Sequence, residues 1–238
     1  MASLERKKIV VVGGTSGIGL ETVRLCSLAG AKVWACSRSA EKVKKAASLV
    51  TDAEFFTMDI HDQDGMADHF ASIGPVDHIV AAATGAERTM APFMEQTPDQ
   101  FRAAFDKFCG YTNLVRAVVP NLSQDGSITL VSGSPARKCN PGMSSISCVG
   151  GAVENFARAL ALELAPIRVN LVSPGLIDTG MFIHFGAKKD EILGQLTSKL
   201  PISRPGKAEE VAQAILLCMQ NEYMTGATLD VDGGTLLP

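Results

Sequence analysis

Five residues, Lys8-Ile9-Val10-Val11-Val12, lead without interruption into Gly13-Gly14-Thr15-Ser16-Gly17-Ile18-Gly19, and an apolar helical pattern follows from Leu20 to Ala29. A short β-branched run ended by glycines and continued by helical periodicity predicts strand, tight turn and helix. Glycine suits such a turn because the chain reverses sharply and brings backbone N–H groups against a phosphate at a helix N-terminus, where the dipole favours negative charge. A Cβ at Gly13, Gly17 or Gly19 would obstruct the turn, the ligand or the packing of helix on strand. Many loops carry glycines for positive φ alone. The position of these, directly behind a buried strand, points to a pyrophosphate instead.

Downstream, further apolar strands are expected over 31–37, 54–58, 77–83, 127–132, 168–172 and 227–231, with helices over 40–50, 98–119 and 144–164. Strands alternating with helices require right-handed crossovers and a parallel sheet. The expected fold is therefore α/β, a doubly wound sheet of about seven strands with helices on both faces, in one domain spanning 1–238. Between the sixth strand and Lys207, about 178–206, a stretch with Gly180, Met181, Phe182, Ile183 and Phe185 reads as a lid over the strand ends and suggests an apolar pocket.

Composition excludes several classes. The formal charge is -3 and the basic residues are scattered apart from Arg6-Lys7-Lys8 and Lys42-Val43-Lys44-Lys45, so no footprint for nucleic acid stands out. Met1 to Arg6 lacks the apolar stretch of a signal peptide and no apolar run reaches bilayer-spanning length, so the expectation is a cytoplasmic protein with no membrane partner. The 6 cysteines show no C-x-x-C spacing and read as reduced thiols, and the histidines show no metal-ligand spacing with them; no metal is expected.

Taken together, the glycine turn, Asp59-Ile60, Arg168-Val169-Asn170-Leu171-Val172-Ser173-Pro174-Gly175 with Thr179, and the tail from Tyr223 to Gly234 resemble the short-chain dehydrogenase/reductase family over essentially the whole chain. The resemblance implies a Rossmann-like domain binding a nicotinamide dinucleotide. It puts Gly13, Thr15, Ser16, Gly17, Ile18 and Gly19 at the pyrophosphate, Asp59 and Ile60 at the adenine, Ala82 and Ala83 beside the cofactor, and Pro174, Gly175, Ile177 and Thr179 at the nicotinamide end. At the end of the second strand an acidic residue would hold a ribose 2′-hydroxyl, whereas an arginine accommodates a 2′-phosphate. The chain has Ser37-Arg38 there, which selects NADP(H). The family also implies a homodimer or homotetramer through the helices at 98–119 and 144–164 and through the C-terminal segment; an inactive member would pair in a hetero-oligomer with an active relative.

The family's proton-transfer residues are not found by the same alignment. Anchored on Ala152-Val153-Glu154, the tyrosine position falls on Ile146 and the lysine position on Gly150; the serine position falls on Gly133 and the asparagine position on Lys107. Tyr111 and Tyr223 are each followed four residues later by Val115 and Ala227, so no shifted motif replaces the pair. Losing a general acid costs on the order of 10²–10⁴-fold where the reaction needs one. Three residues are candidates to stand in. Gly150-Gly151 would vacate the volume of a lysine stem, into which Lys107 could place its ammonium. Arg137 could stabilise a developing oxyanion, and Ser132 could donate a hydrogen bond. Their plainer readings are a solvated helix lysine, a surface loop arginine paired with Lys138, and a strand-end serine. Two functions follow: an atypical NADP(H)-dependent oxidoreductase reducing an activated C=N or conjugated carbonyl in a small apolar substrate, or an inactive NADP(H)-binding subunit.

Overall fold

The computed structural model describes residues 1–84 and 88–237. At its centre lies a parallel sheet of β1 (Lys8–Val12), β2 (Lys32–Ser37), β3 (Ala53–Thr57), β4 (Val76–Ala81), β5 (Leu122–Val131), β6 (Arg168–Pro174) and β9 (Thr228–Val231). A separate pair, β7 (Ile177–Asp178) and β8 (Gly206–Lys207), follows β6. The order β3-β2-β1-β4-β5-β6-β9 reverses direction between β1 and β4, which opens a crevice at the carboxyl ends of these two strands.

A parallel sheet is covered on both faces, so its central strands are apolar throughout. Ile9, Val10, Val11 and Val12 are all buried, and alternate residues divide between the two faces. Val10 and Val12 join the core beneath α3 (Gln63–Ile73), α5 (Asp106–Val118) and α6 (Ser144–Glu163). Ile9 and Val11 join the core beneath α1 (Gly17–Leu28) and α8 (Ala208–Gln220). The outer connection of β2 to β3 is α2 (Ala40–Leu49), which Ser39 caps by accepting from Lys42 N–H. This architecture is the doubly wound α/β sheet expected from the sequence.

Several elements differ from the sequence pattern. The expected helix over 98–119 is two helices, α4 (Pro98–Ala104) and α5, because α4 closes with a 3₁₀-type bond from Phe105 N–H to Arg102 O. β5 begins at Leu122 rather than Ser127, since its register against β4 shifts between Val76 and His78. Helices α3 and α8 are not anticipated by the sequence pattern; the last turn of α8 is closed by the buried Arg168 of β6, which donates to Cys218 O at 2.7 Å and Met219 O at 2.8 Å. Asn170 joins the same region by donating to Met224 O and accepting from Ala227 N–H, which fixes the loop entering β9. The stretch expected as a lid contains the 3₁₀ segment Gly180–Lys188 and α7 (Lys189–Thr197), tied back by Lys189 to Asp178 at 2.7 Å. Among the described residues no helix is long and apolar enough to cross a membrane, and no three His, Cys, Asp or Glu side chains cluster as a metal site.

Candidate active site

The glycine turn sits where β1 ends. Gly13 and Gly14 N–H both donate to Cys36 O of β2, and Gly13 adopts a φ of 81° that a side chain would strain. A Cβ at Gly19 would lie 2.1 Å from Gly13 O, so the first turn of α1 can close on the strand only with glycine there. Ser16 precedes α1 in an extended conformation and makes no capping hydrogen bond with its side chain. The first-turn amides are thus left for an anion, the arrangement that suits a pyrophosphate. Thr15 is buried and Ile18 packs on the core beneath α1. Across the turn stands Thr179, whose Cγ2 lies 3.3 Å from the Cβ position of Gly17.

The remaining residues expected at a dinucleotide converge on the same edge. Ala82 N–H donates to Val12 O, and Ala83 N lies 2.6 Å from the Cβ position of Gly13, so the residues after β4 pack directly on the turn. Ile60 is buried against Gly110 of α5, where a Cβ would come within 2.3 Å of Ile60 Cδ1. Gly175 N–H donates to Val231 O, a Cβ there would meet Asp232, and Pro174 and Ile177 are buried beside it. Beyond β2, exposed Arg38 lines a cleft with about 490 Å³ of open space together with Asp59, Asp62 and His69. The two carboxylates are engaged locally: Asp59 accepts from His61 N–H and Asp62 caps α3 through Gly65 N–H. Ser37 Oγ donates to Ser39 O at 3.5 Å.

A second cleft, with about 430 Å³ of open space, lies at the ends of β4 and β5; Thr84, Arg88, Lys107, Ser132, Ile146 and Gly150 line it. Lys107 does not extend into solvent: it is 8% exposed, and its Nζ lies 5.4 Å from the ring centre of Tyr111. Burial, and secondarily the charge of Arg88, lower its pKa from 10.5 to about 7. Tyr111 itself is fully buried, and burial pushes its phenol well above the ordinary tyrosine range. Ser132 faces the cleft but donates its hydroxyl proton to Gly150 O at 3.2 Å.

Two expectations are corrected. The volume at Gly150 is not vacated, because a Cβ there would lie 2.8 Å from Ala136 Cβ; the turn Ser134–Ala136 fills it, and Gly150 lets α6 approach that turn. Arg137 does not line the cleft. Its guanidinium donates to Glu154 Oε1 at 3.0 Å and to both oxygens of Asp230, tying the loop after β5 to α6 and β9. Both carboxylates complement the guanidinium charge, so Arg137 is a structural staple. Lys138 likewise donates to Thr235 O. Arg88 lines the cleft without belonging to any sequence motif; the sequence shows it as a basic residue in the loop leaving β4.

The family model described as enoyl-(acyl carrier protein) reductase matches residues 12–235. A short-chain dehydrogenase/reductase of Stachybotrys chlorohalonatus (strain IBT 40285) is 33% identical, with 100% of both chains covered. Among solved structures, a small-chain dehydrogenase in complex with NADPH is similar with a TM-score of 0.84 at 32% identity, covering 98% of this chain and 100% of that one. An NADPH-bound short chain oxidoreductase from Pseudomonas aeruginosa PAO1, described as containing an atypical catalytic center, is similar with a TM-score of 0.91 at 31% identity, covering 99% of this chain and 98% of that one.

Proposed function

The chain belongs to the short-chain dehydrogenase/reductase family, and from that premise we propose that it is an NADP(H)-dependent reductase in which Lys107 takes the place of the family's tyrosine as proton donor. The residues present fit the cofactor: the glycine turn leaves space that any Cβ would fill, the first-turn amides of α1 lack a side-chain cap, and Arg38 faces the cleft at the end of β2. When bound, NADPH supplies a hydride. The chain's own contribution is the proton and the shape of the cleft.

One observation carries this reading: a buried lysine with its pKa lowered to about 7 lines the cleft that Ile146, Gly150 and Ser132 also line. A general acid works best when its pKa is near the working pH. The Lys107 ammonium donates its proton to the atom on which negative charge accumulates, the oxygen of a carbonyl acceptor or the nitrogen of a neutral C=N acceptor, and the neutral amine then regains a proton from solvent. Ser132 holds Gly150, and so the cleft wall formed by α6, in place. The acceptor is a small polarised molecule, a conjugated carbonyl or an activated C=N compound. The similarity to an oxidoreductase described as having an atypical catalytic center favours activity without the usual residues. Assembly as a homodimer or homotetramer through α4–α5 and α6 is part of the same proposal, as is a cytoplasmic location.

A specific observation favours the alternative of an inactive NADP(H)-binding subunit: Ser132 and Arg137 are both engaged within the protein. The deciding experiment has two stages. NADPH and NADH are titrated by fluorescence into wild type and Arg38→Ala, and NADPH oxidation is then followed across conjugated and C=N acceptors. Selective NADPH binding with turnover that falls above pH ~7 and is lost in Lys107→Met supports the reductase. Selective binding with no turnover across the panel supports the inactive subunit.

A further inference from the structure

Resting on the reductase reading, we propose that the substrate bears a carboxylate, bound by Arg88 at the mouth of the cleft while Lys107 faces the reacting bond. Beside apolar Ala104, Pro135, Ile146 and Val149, the cleft carries charge. Its charged lining consists of Arg88 and Lys107, its other polar side chains are the hydroxyls of Thr84 and Ser132, and no acidic side chain is among the described residues that line it. The two cations arrive from separate elements, the loop after β4 and helix α5, so their meeting is a product of the tertiary fold. Their mutual repulsion, in a site partly withdrawn from water, is relieved when an anion enters between or beside them.

Arg88 is poised for such a ligand. Among the described residues its hydrogen bond runs from Nη1 to Met181 Sδ at 3.7 Å, a soft and weak acceptor on the Gly180–Lys188 segment. A carboxylate offers the planar guanidinium two charge-assisted bonds in place of that contact. The same charges discriminate between the two acceptor classes open above. An iminium ion would bring a third positive charge into the cleft and is disfavoured; a keto acid, or a conjugated carbonyl that carries a separate carboxylate, is favoured. Phe182 and Phe185, expected to shape an apolar site, stack on each other with ring centres 6.0 Å apart and do not line it.

The test is the binding of crotonate, its methyl ester and crotonamide to wild type, Arg88→Gln and Arg88→Lys, by calorimetry with and without saturating NADP⁺, alongside an NADPH titration of each protein. The expected result is that the acid binds wild type at least about tenfold more tightly than the ester or amide. That preference should vanish in Arg88→Gln and partly return in Arg88→Lys, with NADPH affinity unchanged throughout. Equal affinity for acid and ester, or a preference that survives Arg88→Gln, overturns the carboxylate proposal while leaving the reductase reading standing. Failure of wild type to bind NADPH overturns the reductase reading, and with it the proposal that rests on it.

Discussion

Tyr111 has one phenolic proton and three carbonyls within reach: Ala81 O at 2.7 Å, Ala83 O at 3.0 Å and Val131 O at 3.2 Å. These oxygens end β4 and β5, so a single side chain braces the crevice beside Lys107. Buried and with its pKa pushed up, this phenol does not exchange protons near neutrality. Replacing it with phenylalanine leaves buried carbonyls without their donor, and Tyr111→Phe is expected to lose about 1–3 kcal/mol in denaturant unfolding. Lys107 behaves differently because its folded pKa, about 7, lies below the ordinary 10.5. Between those values the unfolded chain binds more protons, so Lys107 makes stability increase as pH rises from about 7 toward 10.5. Lys107→Met should abolish that slope in denaturation curves while lowering turnover by roughly 10²–10⁴-fold. At Arg38 the expected effect is confined to the cofactor: Arg38→Ala should weaken NADPH binding by about 10- to 100-fold in a fluorescence titration and leave NADH binding unaltered.

At the scale of elements, the joint between β1 and α1 and the joint between α6 and β9 are held by different means. The first depends on absent atoms. Gly19→Ala would force a Cβ to 2.1 Å from Gly13 O, so the turn must open, and NADPH binding should be lost together with a lowered melting temperature. The second depends on charge. Glu154 is 3% exposed and accepts from Arg137, which also binds Asp230. Arg137→Ala removes the hydrogen bond to that buried carboxylate, leaving it the longer 4.0 Å contact with Arg158, and should destabilise the fold by about 1–3 kcal/mol, with NADPH affinity and any turnover retained. Retained turnover is what separates a staple from an oxyanion-stabilising residue. The strand, turn and helix of residues 8–28 were legible in the sequence because each is encoded by neighbours a few positions apart. The break at Phe105 and helix α8 were not, since the first is set by a local 3₁₀ closure inside an otherwise helical pattern and the second is completed by Arg168, about fifty positions upstream.

For the molecule as a whole, the central pair β4 and β5 contains an acid-sensitive contact. His78 Nδ1 lies 2.9 Å from Ser127 Oγ, directly across the register, and burial lowers the histidine pKa from 6.5 to about 4. The unfolded chain therefore binds the extra proton first, and stability is lost as pH falls from 6.5 toward 4, by about 3 kcal/mol in total. Unfolding curves at pH 7 and pH 5 should show the loss, and His78→Asn should flatten it. Sequence alone determined the doubly wound sheet, the glycine turn and the basic residue at the end of β2, because apolar periodicity, glycine's freedom from a Cβ and a strand-end charge are properties of short segments. Tertiary structure alone decided the chemistry of the cleft. Only when α5, Arg88 and the turn before α6 pack together does Lys107 lose its water and have its pKa lowered, while Arg137, equally basic in the sequence, is drawn away by the carboxylates of Glu154 and Asp230.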